Sequence, residues 1–339
     1  MNQFTKKKHF VGIDISKDHL DLTLVDEGSI GVFQDRKVDN SFNGFDKILN
    51  WLSKQKVKLE DCLFCMEHTG TYGLLLFAWL SQKEIDYCVE PALRIKRSMG
   101  ITRGKSDKVD ARRIAQYASL NRAKLVPFTI PSTLLLQIKQ LLTYRNQLSR
   151  IRVSLKNSLK NHNRYNAASG LQDISDDIES QIEELEIRIE SIGQQIKDLI
   201  KSDETLHKNF QLATSVKGIG FVIASFILVT TNNFTCFENS RKYACYSGIA
   251  PFENSSGKYK GQSKVNHLAN KKIKALLSNG AHVASKWDPD IKAYYTRKIK
   301  EGKDHNSVIN AIKCKLVNRV FAVVKRQTPY VIIYQQKFA

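Results

Sequence analysis

The chain is short of what many function classes require. In 339 residues no apolar run reaches the ~20 residues of a membrane-spanning helix. The lysines near the start are not followed by the apolar stretch of a secretory signal. No Walker A loop and no GxGxxG fingerprint occurs, so nothing points to a nucleotide hydrolase. The six cysteines are scattered, at 62, 65, 88, 236, 245 and 314. Cys62 and Cys65 form a lone CxxC without a second pair at zinc spacing, inside a segment that reads as a buried strand. Reduced structural thiols are the expectation. His68, His267 and His282 lack ligand spacing to one another, and Trp51, Trp79 and Trp287 read as core. There is no internal repeat and no low-complexity segment. With 42% hydrophobic residues and a mean hydropathy of −0.34, a soluble cytoplasmic protein is expected, with no membrane partner.

Acidic residues are also scarce, but only in one place. The formal net charge is +20. Residues 1–132 carry 21 Lys/Arg against 16 Asp/Glu, residues 133–205 carry 10 against 11, and residues 206–339 carry 22 against 6. A folded region with that excess of cations points to a polyanion, most often nucleic acid. The bland reading is a merely soluble basic surface, and charge by itself names no activity.

Hydrophobic patterning divides the chain into the same three parts. Residues 1–132 alternate strand and helix signals: strands at Phe10–Ile15, Leu20–Val25, Leu63–Met66 and Tyr87–Glu90, helices at Phe42–Leu52, Tyr72–Gln82 and Ala111–Ser119. That order predicts an α/β domain with a central sheet. In residues 133–205 the apolar positions 178, 182, 185, 189, 192, 196 and 199 form a heptad seam. Leu134, Ile138, Leu141, Leu148, Leu155 and Leu159 keep a similar register before it, interrupted by Arg145 and Arg152. With a break near Ala167–Gly170, an antiparallel helical hairpin or coiled coil is the economical reading. Residues 206–339 read as helical apart from a loop-like stretch at Gly248–Gly261.

Three constellations carry chemistry. Asp14 ends an apolar strand in GIDISK (12–17), where a carboxylate is costly unless it has a task. Glu67 follows a short apolar strand in MEHTGTY (66–72). Asp107 and Asp110, in RGKSDKVDARRIAQYA (103–118), lie three apart where a helix begins, with Ser106 or Asp107 as its cap. Taken singly, Asp107 is a helix cap and Glu67 a surface acid. Taken together, acids at two strand ends and one helix start can converge on one or two Mg²⁺ (or Mn²⁺) ions and stabilise an in-line phosphoryl displacement.

The second constellation is GIAPFENSSGKYKGQSK (248–264). It supplies two hydroxyls, a glycine and Lys258, Lys260 and Lys264, with Lys271 just beyond. A serine attacking a phosphodiester needs a flexible turn and cationic neighbours, although Ser-Ser-Gly is also an ordinary loop. The third is SVKGIGFVIASFIL (215–228), where Lys217, Gly218 and Gly220 open an apolar helix. Backbone N–H groups there can hold a DNA phosphate, or the turn can simply pack helices. Lys271 and Lys272 belong to a probable helix over 264–284, offering either a solvated face or backbone contacts to DNA.

Together these motifs resemble the DEDD insertion-sequence transposases, described as bridge-RNA-guided recombinases. GIDISK, ExTGxY at Glu67–Tyr72 and KSDKVDA at 105–111 match the N-terminal signature. The GIG element, GIAP…SSGK and HLANKKIKALL match the C-terminal half in order. The resemblance implies an RNase H/RuvC-like α/β domain (1–132), a helical coiled-coil spacer (133–205) and a mainly α, basic transposase domain (206–339). It implies that Asp14, Glu67, Asp107 and Asp110 bind metal and that Ser256 is the nucleophile, with Ser255 not dismissed. It also implies donor and target DNA, a structured guide RNA, a homo-oligomer (dimer or tetramer) and a nucleoid-associated prokaryotic setting. Two other classes stay open: a junction-resolving metal nuclease using only the acids, and a non-catalytic nucleic-acid-binding protein.

Overall fold

The computed structural model describes residues 3–29, 31–68, 70–98, 106–169, 173–256, 259–265 and 269–331, without side chains for 166–169, 173, 253–256 and 259–264. Two compact units divide the chain, residues 1–130 and 131–339.

The first unit is a five-stranded sheet in the order β3-β2-β1-β4-β5. Its strands are β1 (His9–Ile15), β2 (His19–Asp26), β3 (Gln34–Asp39), β4 (Cys62–Glu67) and β5 (Tyr87–Glu90). The first three form an antiparallel meander, and β4 and β5 run parallel to β1. That order and polarity define the RNase H/RuvC-like fold expected from the sequence. Alternation decides the faces. Val11, Ile13, Leu20, Leu22 and Leu24 turn to one side, where α1 (Phe42–Lys54) and α2 (Leu74–Gln82) bury Phe45, Ile48, Leu76 and Leu80. Each such side chain contributes roughly 1.5–3 kcal/mol on leaving water. Phe10, Leu63, Cys65 and Cys88 turn to the other side, where α4 (Asp107–Asn121) covers them with Ile114, Tyr117 and Ala118. A short α3 (Ala92–Ser98) follows β5. The CxxC thus places Cys62 and Cys65 in cores on opposite faces of the sheet. Both are free thiols, and burial pushes Cys62 up to about 12.

The second unit begins with a helical hairpin, α5 (Thr133–Ser169) and α6 (Asp173–Lys201), packed along their length. Ile138, Leu142, Leu148, Ile189, Ile192 and Ile196 are buried in its seam. Then follow α7 (Glu204–Thr214), α8 (Phe221–Thr230), α9 (Ser240–Tyr246), strands β6 (Pro251–Ser256) and β7 (Tyr259–Val265), α10 (Lys271–Trp287), α11 (Pro289–Lys300) and α12 (His305–Arg326). The core joins α7, α8, α10 and α12 through Leu212, Ile227, Leu277 and Leu316.

Three expectations are corrected. The stretch 248–261 is not simply loop: Pro251–Ser256 and Tyr259–Val265 pair as an antiparallel hairpin. Its sequence is mostly polar and carries no regular apolar alternation that would mark strands. The helix expected over 264–284 starts at Lys271 instead, with Asn270 accepting from the N–H groups of Lys272 and Ile273, and Lys264 lies in β7. Trp287 is 70% exposed, because α10 buries its stripe only as far as Ala284. Among the described residues no helix is long and apolar enough to cross a membrane.

Candidate active site

The acidic end of the first unit is built by one glycine and four strand ends. Gly12 lies in β1 beneath α4, and a β-carbon there would sit 2.2 Å from the Ala115 nitrogen and 2.3 Å from the Ala111 oxygen. Only a residue without a side chain lets the α4 backbone lie directly on the sheet. Asp14, two residues on, faces the same way by strand alternation. Helix α4 opens with Ser106 as its cap, the hydroxyl accepting from the Val109 N–H, which sets Asp107 and Asp110 in its first turn. The helix is clamped at its flank by Arg112, which donates Nε to Asp35 on β3 at 3.0 Å and an Nη2 bond at 2.5 Å, with Lys108 at 3.1 Å. These donors hold the Asp35 carboxyl down at about 2.

Strand register does the rest. Asp14 stands opposite Asp21 on β2. Ile13 is level with Met66 on β4, which brings Asp14 level with Glu67, and Glu67 is level with Glu90 on β5. A row of four acids therefore crosses four adjacent strands beside the first turn of α4. They differ in how their charge is met. Glu90 is 5% exposed and compensated, accepting from the Tyr117 hydroxyl at 3.1 Å and from Arg94 at 3.0 and 3.3 Å. Asp21 faces Lys37 at 3.7 Å, and Asp110 accepts from Arg113 at 2.8 Å. Among the described residues no cation pairs with Asp14. Burial first, then the charges of Asp107, Asp110, Glu67 and Asp21, raise its carboxyl to about 6. Glu67 is raised too, by burial and by Asp110. Like charges crowded onto a half-buried carboxylate disfavour its ionised form unless a cation is supplied.

The four acids singled out from the sequence are thus electrostatic neighbours. Among the described residues, though, no three of His, Cys, Asp and Glu stand at metal-holding distance. Hard carboxylate oxygens crowded together suit a divalent cation such as Mg²⁺ or Mn²⁺, which would relieve the repulsion that, after burial, raises Asp14.

In the second unit Ser256 closes β6 and is paired with Tyr259, the first residue of β7, and Ser255 is paired with Lys260. The backbone places Ser256 next to the two residues that join the strands. The side chains of Ser255, Ser256, Lys260 and Lys264 and the whole of Lys258 lie outside the described residues. The base of this hairpin is anchored: the Ile249 carbonyl accepts from Asn310 Nδ2 at 2.8 Å and from Cys314 Sγ at 3.3 Å.

Comparison with known proteins places both units in one family. Residues 11–163 match the DEDD-type "Transposase" profile of the IS110 group, and residues 210–296 match "Transposase IS116/IS110/IS902 family". In order, the two account for more than two thirds of the chain. The chain belongs to the IS110 family of transposases. It is therefore an enzyme that acts on DNA. The pilin gene-inverting protein of Moraxella bovis is 25% identical over 95% of this chain and 98% of that protein. An IS900 42 kDa protein of Mycobacterium paratuberculosis is 26% identical over 37% of this chain and 31% of its own length. Thermus thermophilus RuvC aligns at 14% identity over 35% of this chain and 99% of that one, with a TM-score of 0.27. The strand order, not that overlap, identifies the fold.

The transposase distributes its expected DNA-contacting residues unevenly. Lys217, Gly220 and Lys271 are exposed. Gly218 has φ +95°, and a β-carbon there would meet the Gly280 oxygen at 2.5 Å, so helix packing already requires this glycine. Lys272 is half-buried with its ammonium 4.8 Å from the centre of the Phe226 ring. Reading the sequence missed Asp21, which only strand register makes a neighbour of Asp14. It missed Asn40 as well. Its Nδ2 donates to the Ser16 carbonyl at 3.0 Å and to the Tyr72 carbonyl at 3.1 Å, tying the loops that follow Asp14 and Glu67. Neither residue sits in a motif with a spacing signal.

Proposed function

We propose that this transposase is a site-specific recombinase that cuts and rejoins DNA through Ser256, assisted by a divalent cation at Asp14, Glu67, Asp107 and Asp110. The observation that carries the reading is the uncompensated Asp14, raised to about 6 among acids that strand register and Gly12 bring to one sheet end. Mg²⁺ or Mn²⁺ bound there supplies positive charge to oxygens that become more negative during displacement. The chain's own residues do the remainder. The Ser256 hydroxyl attacks a backbone phosphorus: a serine O–P bond forms and the P–O bond to the departing strand breaks. The serine proton leaves to water, and the departing oxygen takes one up. The phosphoserine link conserves the phosphodiester's energy, so a strand hydroxyl can reverse the step and rejoin.

Lys217, Lys258, Lys260, Lys264, Lys271 and Lys272, with the N–H groups around Gly218 and Gly220, would hold strand backbones. The Moraxella bovis relative, spanned almost end to end, carries gene inversion in its name, and inversion is a cut-and-rejoin reaction. A structured guide RNA that chooses donor and target DNA, and a homo-oligomer, dimer or tetramer, belong to the same proposal.

The test is covalent trapping. Protein and its flanking DNA are co-expressed, denatured and examined for DNA joined to protein, in wild type, Ser255→Ala, Ser256→Ala and Asp14→Ala. The adduct is expected in wild type and Ser255→Ala and in neither of the others. Metal-dependent nicking that persists in Ser256→Ala, with no adduct in any lane, would make the nucleophile water and the protein a junction-type nuclease.

A further inference from the structure

Among the described residues the helical hairpin contains a cation, Arg145, without a counter-ion. Arg145 and Arg152 stand one heptad apart on α5 and interrupt its apolar seam. The residues they meet on α6 differ. Arg152 donates to Glu186 at 3.4 Å, and Lys156 donates to the same carboxylate at 2.7 Å. In an antiparallel hairpin, one heptad back on α5 meets one heptad forward on α6, and that position is Gly193. A β-carbon on Gly193 would lie 3.9 Å from Arg145 Nε. Where Arg152 finds an acid, Arg145 finds a glycine. Its Nε is buried without a hydrogen-bond partner, as is that of Arg152, but where Arg152 is paired with Glu186, among the described residues no carboxylate lies within ion-pairing distance of Arg145.

Arg145 lines a cavity of about 340 Å³ between α5, the first turn of α8 and α10. Asn146, Ser149, Asn279 and Lys272 bring polar groups to the same walls, and Phe226 supplies an apolar one. Val222 and Ile223 add the first turn of α8, whose N-cap Gly220 provides no side-chain cap. Unmet N–H groups at such an end favour negative charge. Arg150 lies close enough to Lys272 to lower its affinity for a proton, after the effect of burial. Two cations, Arg145 and Lys272, and no acid therefore line one concavity, with the charge of Arg150 felt at Lys272. A half-buried guanidinium without a partner is costly, and an arginine's planar fork matches the oxygens of phosphate.

We propose that this cavity is a phosphate-binding site, in which Arg145 and Lys272 grip a backbone phosphodiester of a nucleic-acid strand. It rests on the reading above that the protein handles nucleic acid, and it adds a contact made by the hairpin together with the basic region. A DNA strand and an RNA strand present the same phosphodiester, so the experiment separates them.

Thermal unfolding of the full chain is measured with increasing inorganic phosphate in wild type, Arg145→Met, Lys272→Met and Gly193→Glu. The last variant supplies the missing carboxylate in ordinary contact with Arg145 and is compatible with the helix. Anisotropy then follows labelled duplex DNA and labelled structured RNA across 50–300 mM salt. Phosphate is expected to raise the wild-type Tm by a few degrees and to leave all three variants unmoved. Arg145→Met and Gly193→Glu should match or exceed the wild-type Tm without ligand, which excludes misfolding. Affinity for the bound strand should fall roughly tenfold, with the slope of log K against log salt reduced by about one. Loss on RNA alone or on DNA alone assigns the strand. A phosphate shift that survives in Arg145→Met and Gly193→Glu overturns the site. A shift lost in the variants while both strands bind as before overturns the strand assignment. If wild type binds neither strand, the nucleic-acid reading fails, while the phosphate titration still decides whether the cavity takes an anion.

Discussion

The two ends of the proposed chemistry are held in opposite ways. The acids of the first unit stand on strands whose opposite face is buried against α1 and α2, so a slip of one residue would turn Asp14 and Glu67 into that core. Their placement follows from packing that the whole unit enforces. The serine stands on a two-stranded hairpin of mostly polar sequence, anchored at its base by Asn310 and Cys314. One site has its geometry specified by burial, the other by a tether and a short connection. A carboxylate cluster that holds a cation needs several groups fixed relative to one another, whereas a nucleophile needs to reach one phosphorus. The fold spends its rigidity where several groups must agree.

That contrast can be broken first at the chemistry. Glu67→Gln and Asp110→Asn should each slow strand cleavage on the order of 10³-fold, as expected when several kcal/mol of charge stabilisation are lost. Asp21→Asn, in the same row but paired with Lys37, should cost less than about tenfold. Equal losses at Asp21 and Glu67, read by gel from supercoiled substrate, would mean that register alone and not role defines the row.

Rigidity is tested at Gly12. Gly12→Ala drives a methyl into the Ala115 nitrogen and Ala111 oxygen and should destabilise the first unit by roughly 1–3 kcal/mol. Its Tm should fall by several degrees in calorimetry, with cleavage falling alongside. A nearly unchanged Tm would show that α4 can lift away from the sheet.

The electrostatic state of Asp14 gives a smaller effect. Its carboxyl is raised from 3.8 to about 6, so the folded chain binds more protons than the unfolded one between those values. Stability is expected to fall as pH rises from about 4 to about 6 and to level off above that. Asp14→Asn should flatten this decline and raise Tm at pH 7.5. Mg²⁺ should raise Tm in wild type and not in Asp14→Asn. A rise of equal size in both would place the ion elsewhere.

The smallest change is expected at the clamp on α4. Asp35, held down at about 2 by Arg112 and its other donors, contributes stability that is present above about pH 4 and lost as pH falls towards 2. Because the pair is partly exposed, Asp35→Asn should cost less than about 1 kcal/mol at pH 7. A larger loss, measured by denaturant unfolding, would make the clamp a main determinant of helix position.

Much of this was readable before folding. Apolar alternation marked β1, β2, β4 and β5, since each buries at least one face, and the 3.6-residue period marked the helices. Strand β3 (Gln34–Asp39) escaped because it is an edge strand of polar residues in which only Val38 is buried. The β6–β7 hairpin escaped for a related reason, its sequence being mostly polar without apolar alternation. The serine, the glycine pair at 218 and 220 and the four acids stood out as local motifs, although the task of Gly218 in packing against Gly280 did not.

By itself the sequence determined four of the five strands of the first unit, its main helices and the long helical hairpin, that the last third is basic, and that four acids follow strand ends or open a helix. Those are properties of local chain chemistry, set by periodicity, charge and capping. Tertiary structure decided that Asp21 joins the acid row, that Glu90 meets Arg94 and Tyr117 while Asp14 meets other acids, and that Arg145 meets a glycine where Arg152 meets an acid. Each depends on register between segments far apart in the chain. Register is settled by what the opposite faces bury, which no local pattern records.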